Sequence, residues 1–337
     1  MNAREEKRAA FNEQMNAWVS RQGLWFQLRH AADGQSLVAR LSRIAIRLGI
    51  LLLIVLVVGW FYLTKRVEWS SFHSNVEESL QGNLNAESIN VGSIKKSRDL
   101  LVIAKIDAVG GENAFFSKLK ARVVRLDMGV TNGVFTQWDA GNISAESLQL
   151  TINAGASNDE KAAAMFDSVF KGTGDLKFDL IESNSTNVKW GYTESSFGEI
   201  RDSHMSAAKS GDSWRLDFTG GYFTQNWLKN LPIKRLSCLV DKSGVTVERA
   251  EFAVGDGVVT FSGKFGSGGQ PEFAGELNIE SVPVSGILPA IYHDWVSGSI
   301  SATGRIGGST NTQEGVVTDL KVTLKEGDHL ILRDNFP

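Results

Sequence analysis

GVVTFSGKFGSGGQPEFAGELNIE, residues 257–280, alternates apolar and polar side chains on either side of a glycine-rich turn. Val259, Phe261, Gly263 and Phe265 share one parity, and Phe273, Gly275, Leu277 and Ile279 share the next. A period of two marks strands with one dry and one wet face, and Gly266-Ser267-Gly268-Gly269 between them is hairpin chemistry. The same pattern extends outward from this pair. Downstream it returns in Val296-Gly298-Ile300-Ala302 and Leu320-Val322-Leu324. Upstream it is found in Trp214-Leu216-Phe218, Val188-Trp190-Tyr192, Leu176-Phe178-Leu180, Leu148-Leu150-Ile152, Val124-Leu126-Met128-Val130 and Leu100-Val102-Ala104-Ile106-Ala108. The fold class expected is mainly β, with strands beginning near Ala86. Helices are expected over about Asn158–Phe170 and, as a short one containing Pro289, over about Val284–Trp295. Ser262-Gly263-Lys264-Phe265-Gly266 is echoed by Thr303-Gly304-Arg305-Ile306-Gly307, which predicts a sheet extended by repetition.

Ahead of the strands, Leu48 to Leu63 reads LGILLLIVLVVGWFYL without a charge. From Ile44 the apolar segment runs for about 20 residues, the length of helix that crosses a bilayer core. Leu48, Leu51 and Ile54 would face lipid, and Trp60, Phe61 and Tyr62 would sit in the aromatic belt at the far end. Arg4, Lys7, Arg8, Arg21, Arg29, Arg40, Arg43 and Arg47 precede the apolar core, and only Lys65 and Arg66 follow it closely. The positive-inside rule then leaves the N-terminus in the cytosol. Residues 1–43 read as a cytosolic arm, 44–63 as a transmembrane helix, 67–85 as a juxtamembrane helix carrying Trp69, Phe72, Val76 and Leu80, and 86–337 as an exported β-rich domain. In the arm, Phe11, Met15 and Trp18 recur at helical spacing behind Glu5, Glu6, Lys7 and Arg8. Three readings of that helix stand open: one lying on the inner leaflet, a docking site for a partner, or a helix folded back on itself.

The net charge of −3 conceals an asymmetry. Beyond Arg66 the chain carries 25 Lys/Arg and 34 Asp/Glu. An acidic exported part without a basic cluster argues against nucleic acid as a partner. Cys238 is the sole cysteine, so no intrachain disulfide forms, and its apolar neighbours Leu236 and Val240 mark it as packing. No catalytic constellation, metal set or cofactor motif stands out, and the reading is non-enzymatic. His30, His73, His204, His293 and His329 are scattered, and Gly263 to Gly269 lacks the helix and Lys-Ser/Thr of a phosphate cradle. Glu248/Glu251 and Asp319/Glu326 fall on solvated strand faces.

Two stretches carry a family resemblance. One comprises LNAESINVGSIKKSRDLLVIAKIDAVG, FFSKLKARVVRLDMGV and ISAESLQLTIN, and the other runs from GVTVERAEFAVGDG through SGSISATGRIGG. Together they resemble the AsmA-like family of inner-membrane-anchored envelope proteins, relatives of the bacterial bridge-like lipid transfer proteins. Two departures are a longer cytosolic arm and a short exported domain.

The resemblance implies an elongated, curved antiparallel β-sheet forming an apolar groove, with a few short helices. It also implies a periplasmic location for the domain, an inner-membrane anchor and a role in envelope biogenesis and lipid transport. Val259, Phe261, Phe273, Leu277, Ile279, Ile300 and Ala302 would line the groove, and membrane phospholipid would be the ligand. On pattern alone, the same residues equally suit the closed core of a β-sandwich or of a sheet packed by helices. About fourteen strands at ~4.8 Å give a groove of roughly 65 Å, which suits local lipid handling, a partner that continues the groove, or a shaping role near the inner membrane better than a bridge on its own. The alternative is an anchored β-scaffold that binds a protein partner in envelope assembly or secretion.

Overall fold

The computed structural model describes residues 3–19, 21–23, 26, 37–65, 69–97, 100–127, 138–152, 176–191, 197–266, 272–309 and 317–333. The chain divides into two units, Met1–Arg66 and Val67–Pro337.

The first unit contains α1 (Ala3–Val19) and α2 (Leu37–Lys65). The 29-residue α2 begins at Leu37 rather than Ile44, so its first turns take in Arg40 and Arg43 from the expected arm. Leu, Ala, Arg and Ile dominate those turns, and without Pro or Gly nothing breaks the helix before the apolar run.

In the second unit, α3 (Ser70–Leu84) buries Phe72 and Val76, one turn apart on the same stripe. Asn85 ends it in a left-handed conformation (φ 49°), a backbone state that Asn tolerates. Two polar side chains of α3 then fasten it to the sheet. The Val91 N–H donates to Glu77 Oε1 at 3.0 Å, and the Ile94 N–H donates to His73 Nε2 at 3.3 Å.

The remainder of the unit is one 16-stranded sheet. Its strands are β1 (Ala86–Val91), β2 (Ile94–Ser97), β3 (Leu100–Gly110), β4 (Phe116–Asp127), β5 (Trp138–Ile152), β6 (Leu176–Trp190), β7 (Gly198–Ser210) and β8 (Ser213–Thr219). They continue with β9 (Tyr222–Gln225), β10 (Leu228–Asp241), β11 (Gly244–Val254), β12 (Gly257–Gly266), β13 (Glu272–Pro283), β14 (Val296–Ser309), β15 (Val317–Thr323) and β16 (His329–Leu332). Neighbours in space are nearly always neighbours in sequence. The path runs from β1 through β3, β4, β5, β6, β7, β8, β10, β11, β12, β13 and β14 to β15, with β2 on β3, β9 between β7 and β10, and β16 on β14. Among the described residues the two end strands do not meet, so the sheet is open.

Two expectations change here. The sheet is not wholly antiparallel, because β5 and β6 pair in parallel, Ile143 opposite Ile181 and Leu150 opposite Val188. Parallel neighbours need a connection of a dozen residues or more, and residues 153–175 are that connection; the helix expected at Asn158–Phe170 lies outside the described residues. In place of one short helix near Val284–Trp295 there are two single 3₁₀ turns, Val284–Gly286 and Ala290–Tyr292. Gly286 and Pro289 interrupt any longer helix. The echoed segments flank one strand, since Gly263 and Ile306 both pair with Gly275 of β13 from opposite sides.

Candidate functional site: the apolar face of the sheet

Register alone assembles a continuous apolar row. Leu277 pairs with Phe261, Phe261 with Ala250, Ala250 with Leu236, Leu236 with Phe218, and Phe218 with Met205. A second row runs parallel to it through Ala302, Ile279, Val259, Phe252 and Ile233. Cross-strand partners share a face, so these residues line one side of the sheet. On the other side are ion pairs, among them Arg215 with Glu248, Arg249 with Glu251 at 2.7 Å, and Lys189 with Glu199 at 3.3 Å.

Every buried member of the main cluster, from Val188 to Ala302, is a strand residue. These side chains pack against one another, and bulges add local twist where the register breaks. Register breaks fall at Ser237/Cys238, Val247/Ala250 and Ile279/Val282. The ring of Phe223 stacks on Phe252 at 4.7 Å and meets Trp190 at 6.1 Å. A second cluster, under α3 and β1–β5, joins the first through Leu148.

The structure brings together all seven groove residues expected from sequence. Val259 and Phe261 lie on β12, Phe273, Leu277 and Ile279 on β13, and Ile300 and Ala302 on β14. Phe273 stacks on Phe265 at 5.8 Å, and Ile300 pairs with the buried Val282. Sequence reading missed Phe252, Ile233, Leu236 and Met205 as parts of the same face, because the bulges shift their parity between strands.

Burial along this face ends abruptly. Ala302 and Val322 are cross-strand partners, yet Ala302 is 2% exposed and Val322 is 53% exposed. Leu320, Leu330 and Leu332 on β15 and β16 are exposed as well. The dry face is therefore buried from β6 to Ala302 of β14 and lies open at β15 and β16.

Cys238 sits within the filled part. Burial first, then the Asp217 and Glu248 carboxylates, push its thiol from 9.0 up to about 12, which leaves it neutral and inert. Among the described residues no His/Cys/Asp/Glu group has the arrangement of a metal site. Glu248 and Glu251 each pair with an arginine, and the His293 ring lies 2.9 Å from the Leu288 carbonyl. A shallow depression of about 580 Å³ between the end of α3 and the β3–β4 turn is lined by Glu78, Gln81, Asn85, Glu112 and Asn113, away from the apolar face.

The expected anchor residues Leu48, Leu51, Ile54, Trp60, Phe61 and Tyr62 are all exposed on α2. Among the described residues no helix is long and apolar enough to cross a membrane; the described side chains of the apolar run extend from Ile46 to Tyr62.

Comparison with family models, with curated proteins and with solved structures gives no match.

Proposed function

We propose that this chain is a membrane-anchored, non-enzymatic envelope protein of AsmA-like type that holds lipid acyl chains against the open end of its apolar sheet face. One observation carries the reading: a single dry face continues across the sheet and passes from buried to open between Ala302 and Val322. An acyl chain in water costs about 0.8 kcal/mol per CH₂. Laid along Leu320, Val322, Leu330 and Leu332 it covers apolar surface that is otherwise wetted, while a headgroup stays in solvent. From β6 to Ala302 the face is buried, so the ligand belongs at the C-terminal end of the sheet, on β15 and β16.

The proposed anchor is α2. At 1.5 Å per residue, its 29 residues reach about 43 Å, longer than the roughly 30 Å hydrocarbon core. The excess of Lys/Arg before the apolar run favours a cytosolic N-terminus and, in a two-membrane cell, a periplasmic sheet.

The test is photo-cross-linking in cells with the full chain. A photoreactive residue at position 322 or 320 should yield phospholipid adducts by mass spectrometry, and one at 321 or 319, on the polar face, should not. Equal labelling of both faces, or no lipid at 322, would sink the proposal.

A second reading, a scaffold for a protein partner, draws support from β15, which is an end strand of the sheet among the described residues, a position that suits strand addition. It predicts a stoichiometric protein that is lost when Lys321→Pro blocks that edge.

A further inference from the structure

The first helix sorts its side chains in a way the sheet does not explain. Arg4, Lys7, Arg8, Phe11, Met15 and Trp18 fall at i, i+3, i+4, i+7, i+11 and i+14 of α1. At 3.6 residues per turn they occupy one stripe roughly 100° wide. Every member is either cationic or large and apolar. The helix's acidic residues, Glu5, Glu6 and Glu13, all fall outside the stripe. All six stripe residues are exposed. Near the end of the stripe, the Trp18 ring meets Phe26 edge-on at 5.5 Å.

We infer that α1 is a docking helix for an anionic phospholipid surface, with Phe11, Met15 and Trp18 inserted at the acyl boundary and Arg4, Lys7 and Arg8 on the phosphates. Charge complementarity selects this occupant. A neutral apolar groove would leave three cations desolvated on the contact stripe, whereas a lipid phosphate layer lies directly above an acyl layer and matches both halves. The cations occupy the N-terminal half of the stripe and the apolar side chains the C-terminal half. Long Lys and Arg stems then reach phosphate while Trp18 sits lower, as an indole does at a membrane interface. The acidic residues face water. α1 belongs to the first of the chain's two units, so its test does not depend on acyl chains binding near Val322.

The experiment uses the full chain, reconstituted in vesicles of phosphatidylcholine alone or mixed with phosphatidylglycerol. Met15→Cys, labelled with an environment-sensitive fluorophore, reports the stripe, and Glu13→Cys reports the opposite face. Buried Cys238 does not compete for the label. Docking predicts a blue shift and quenching by doxyl-labelled lipid at position 15, in the mixed vesicles only, with position 13 unchanged. Replacing Arg4, Lys7 and Arg8 together by Gln should reduce the docked-to-undocked ratio about 100-fold, as should high salt in direction. A position 15 that stays in water in both vesicles overturns the inference. So does a blue shift that is indifferent to phosphatidylglycerol and to the triple substitution, since the stripe then packs on protein. Protection that arises only when an acidic protein is added would make that protein the occupant instead.

Discussion

The hydroxyl of Ser301, buried on β14, donates a 2.7 Å hydrogen bond to the carboxylate of Asp328 in the turn before β16. The same carboxylate accepts the Lys325 N–H at 3.0 Å and the Ser299 hydroxyl at 3.3 Å, while Ser301 Oγ accepts the Ser281 N–H at 3.0 Å. One aspartate thus ties the last two strands to β14. The Lys325 N–H, followed by the Ser301 hydroxyl, holds its carboxyl below the ordinary 3.8. A depressed folded pKa means that the ionised form supports the fold. That support is complete above about 3.8 and is lost as pH falls through the lower folded value. Corrected for the intrinsic rate, amide exchange over residues 317–332 should therefore accelerate on acidification below 3.8, ahead of β10–β12. Asp328→Asn should raise it at neutral pH by on the order of 10-fold, and an unchanged exchange pattern would refute the tie.

Thr186 on β6 tests the filled face from the opposite direction. Its hydroxyl is fully buried and has no hydrogen-bond partner among the described residues. It pairs with Ser203 at a register break beside Val188. An unpaired buried hydroxyl is destabilising, and a methyl of nearly the same size is not. Thr186→Val should raise the urea midpoint by the equivalent of about 1 kcal/mol. A loss of stability would mean the hydroxyl has a partner after all.

How far the fold could be read depended on whether strand parity survived. Along β12 and β13 it does, so Val259, Phe261, Leu277 and Ile279 were legible as one face from alternation alone. Along β3 it does not. Leu101 and Ile103 are buried where Leu100, Val102 and Ala104 were expected to be, while Ile106 and Ala108 keep the expected parity. The switch falls opposite Val123, whose φ of 50° puts a β-branched residue in the left-handed region. No alternation rule anticipates such a step. The parallel β5–β6 pair was hidden for a different reason, since strand sequences do not encode the direction of their neighbour. The abrupt opening between Ala302 and Val322 was also invisible, because both residues look equally apolar in sequence.

Cys238 gives a direct readout of core closure. With its thiol at about 12, alkylation at pH 8 should be very slow in the folded protein and fast in denaturant. The raised value also carries a pH dependence. Stability from the protonated thiol is complete below 9.0 and erodes as pH climbs toward about 12, because the unfolded chain releases that proton first. Cys238→Ser should remove this alkaline slope, and rapid native-state alkylation would show that the face over β10 opens readily.

Phe261 occupies space that Gly263 and Gly275 leave free. A Cβ on Gly275 would lie 2.5 Å from the Phe261 ring and 2.5 Å from the Ser262 carbonyl oxygen, and one on Gly263 would lie 2.7 Å from the same ring. The glycines in these two strands are therefore the seat of an aromatic ring on the apolar face, an arrangement that offsets the weakness of glycine within a strand. Gly275→Ala should cost about 1–3 kcal/mol by displacing the ring. In a Phe261→Ala background the same substitution should cost less, with some penalty kept by the contact with the Ser262 backbone. A coupling of roughly 0.5 kcal/mol or more between the two changes, from urea denaturation of the four proteins, is the expected result. Strict additivity would mean the ring does not rest on Gly275, and the apolar row through Leu277 and Phe261 would then be packed differently.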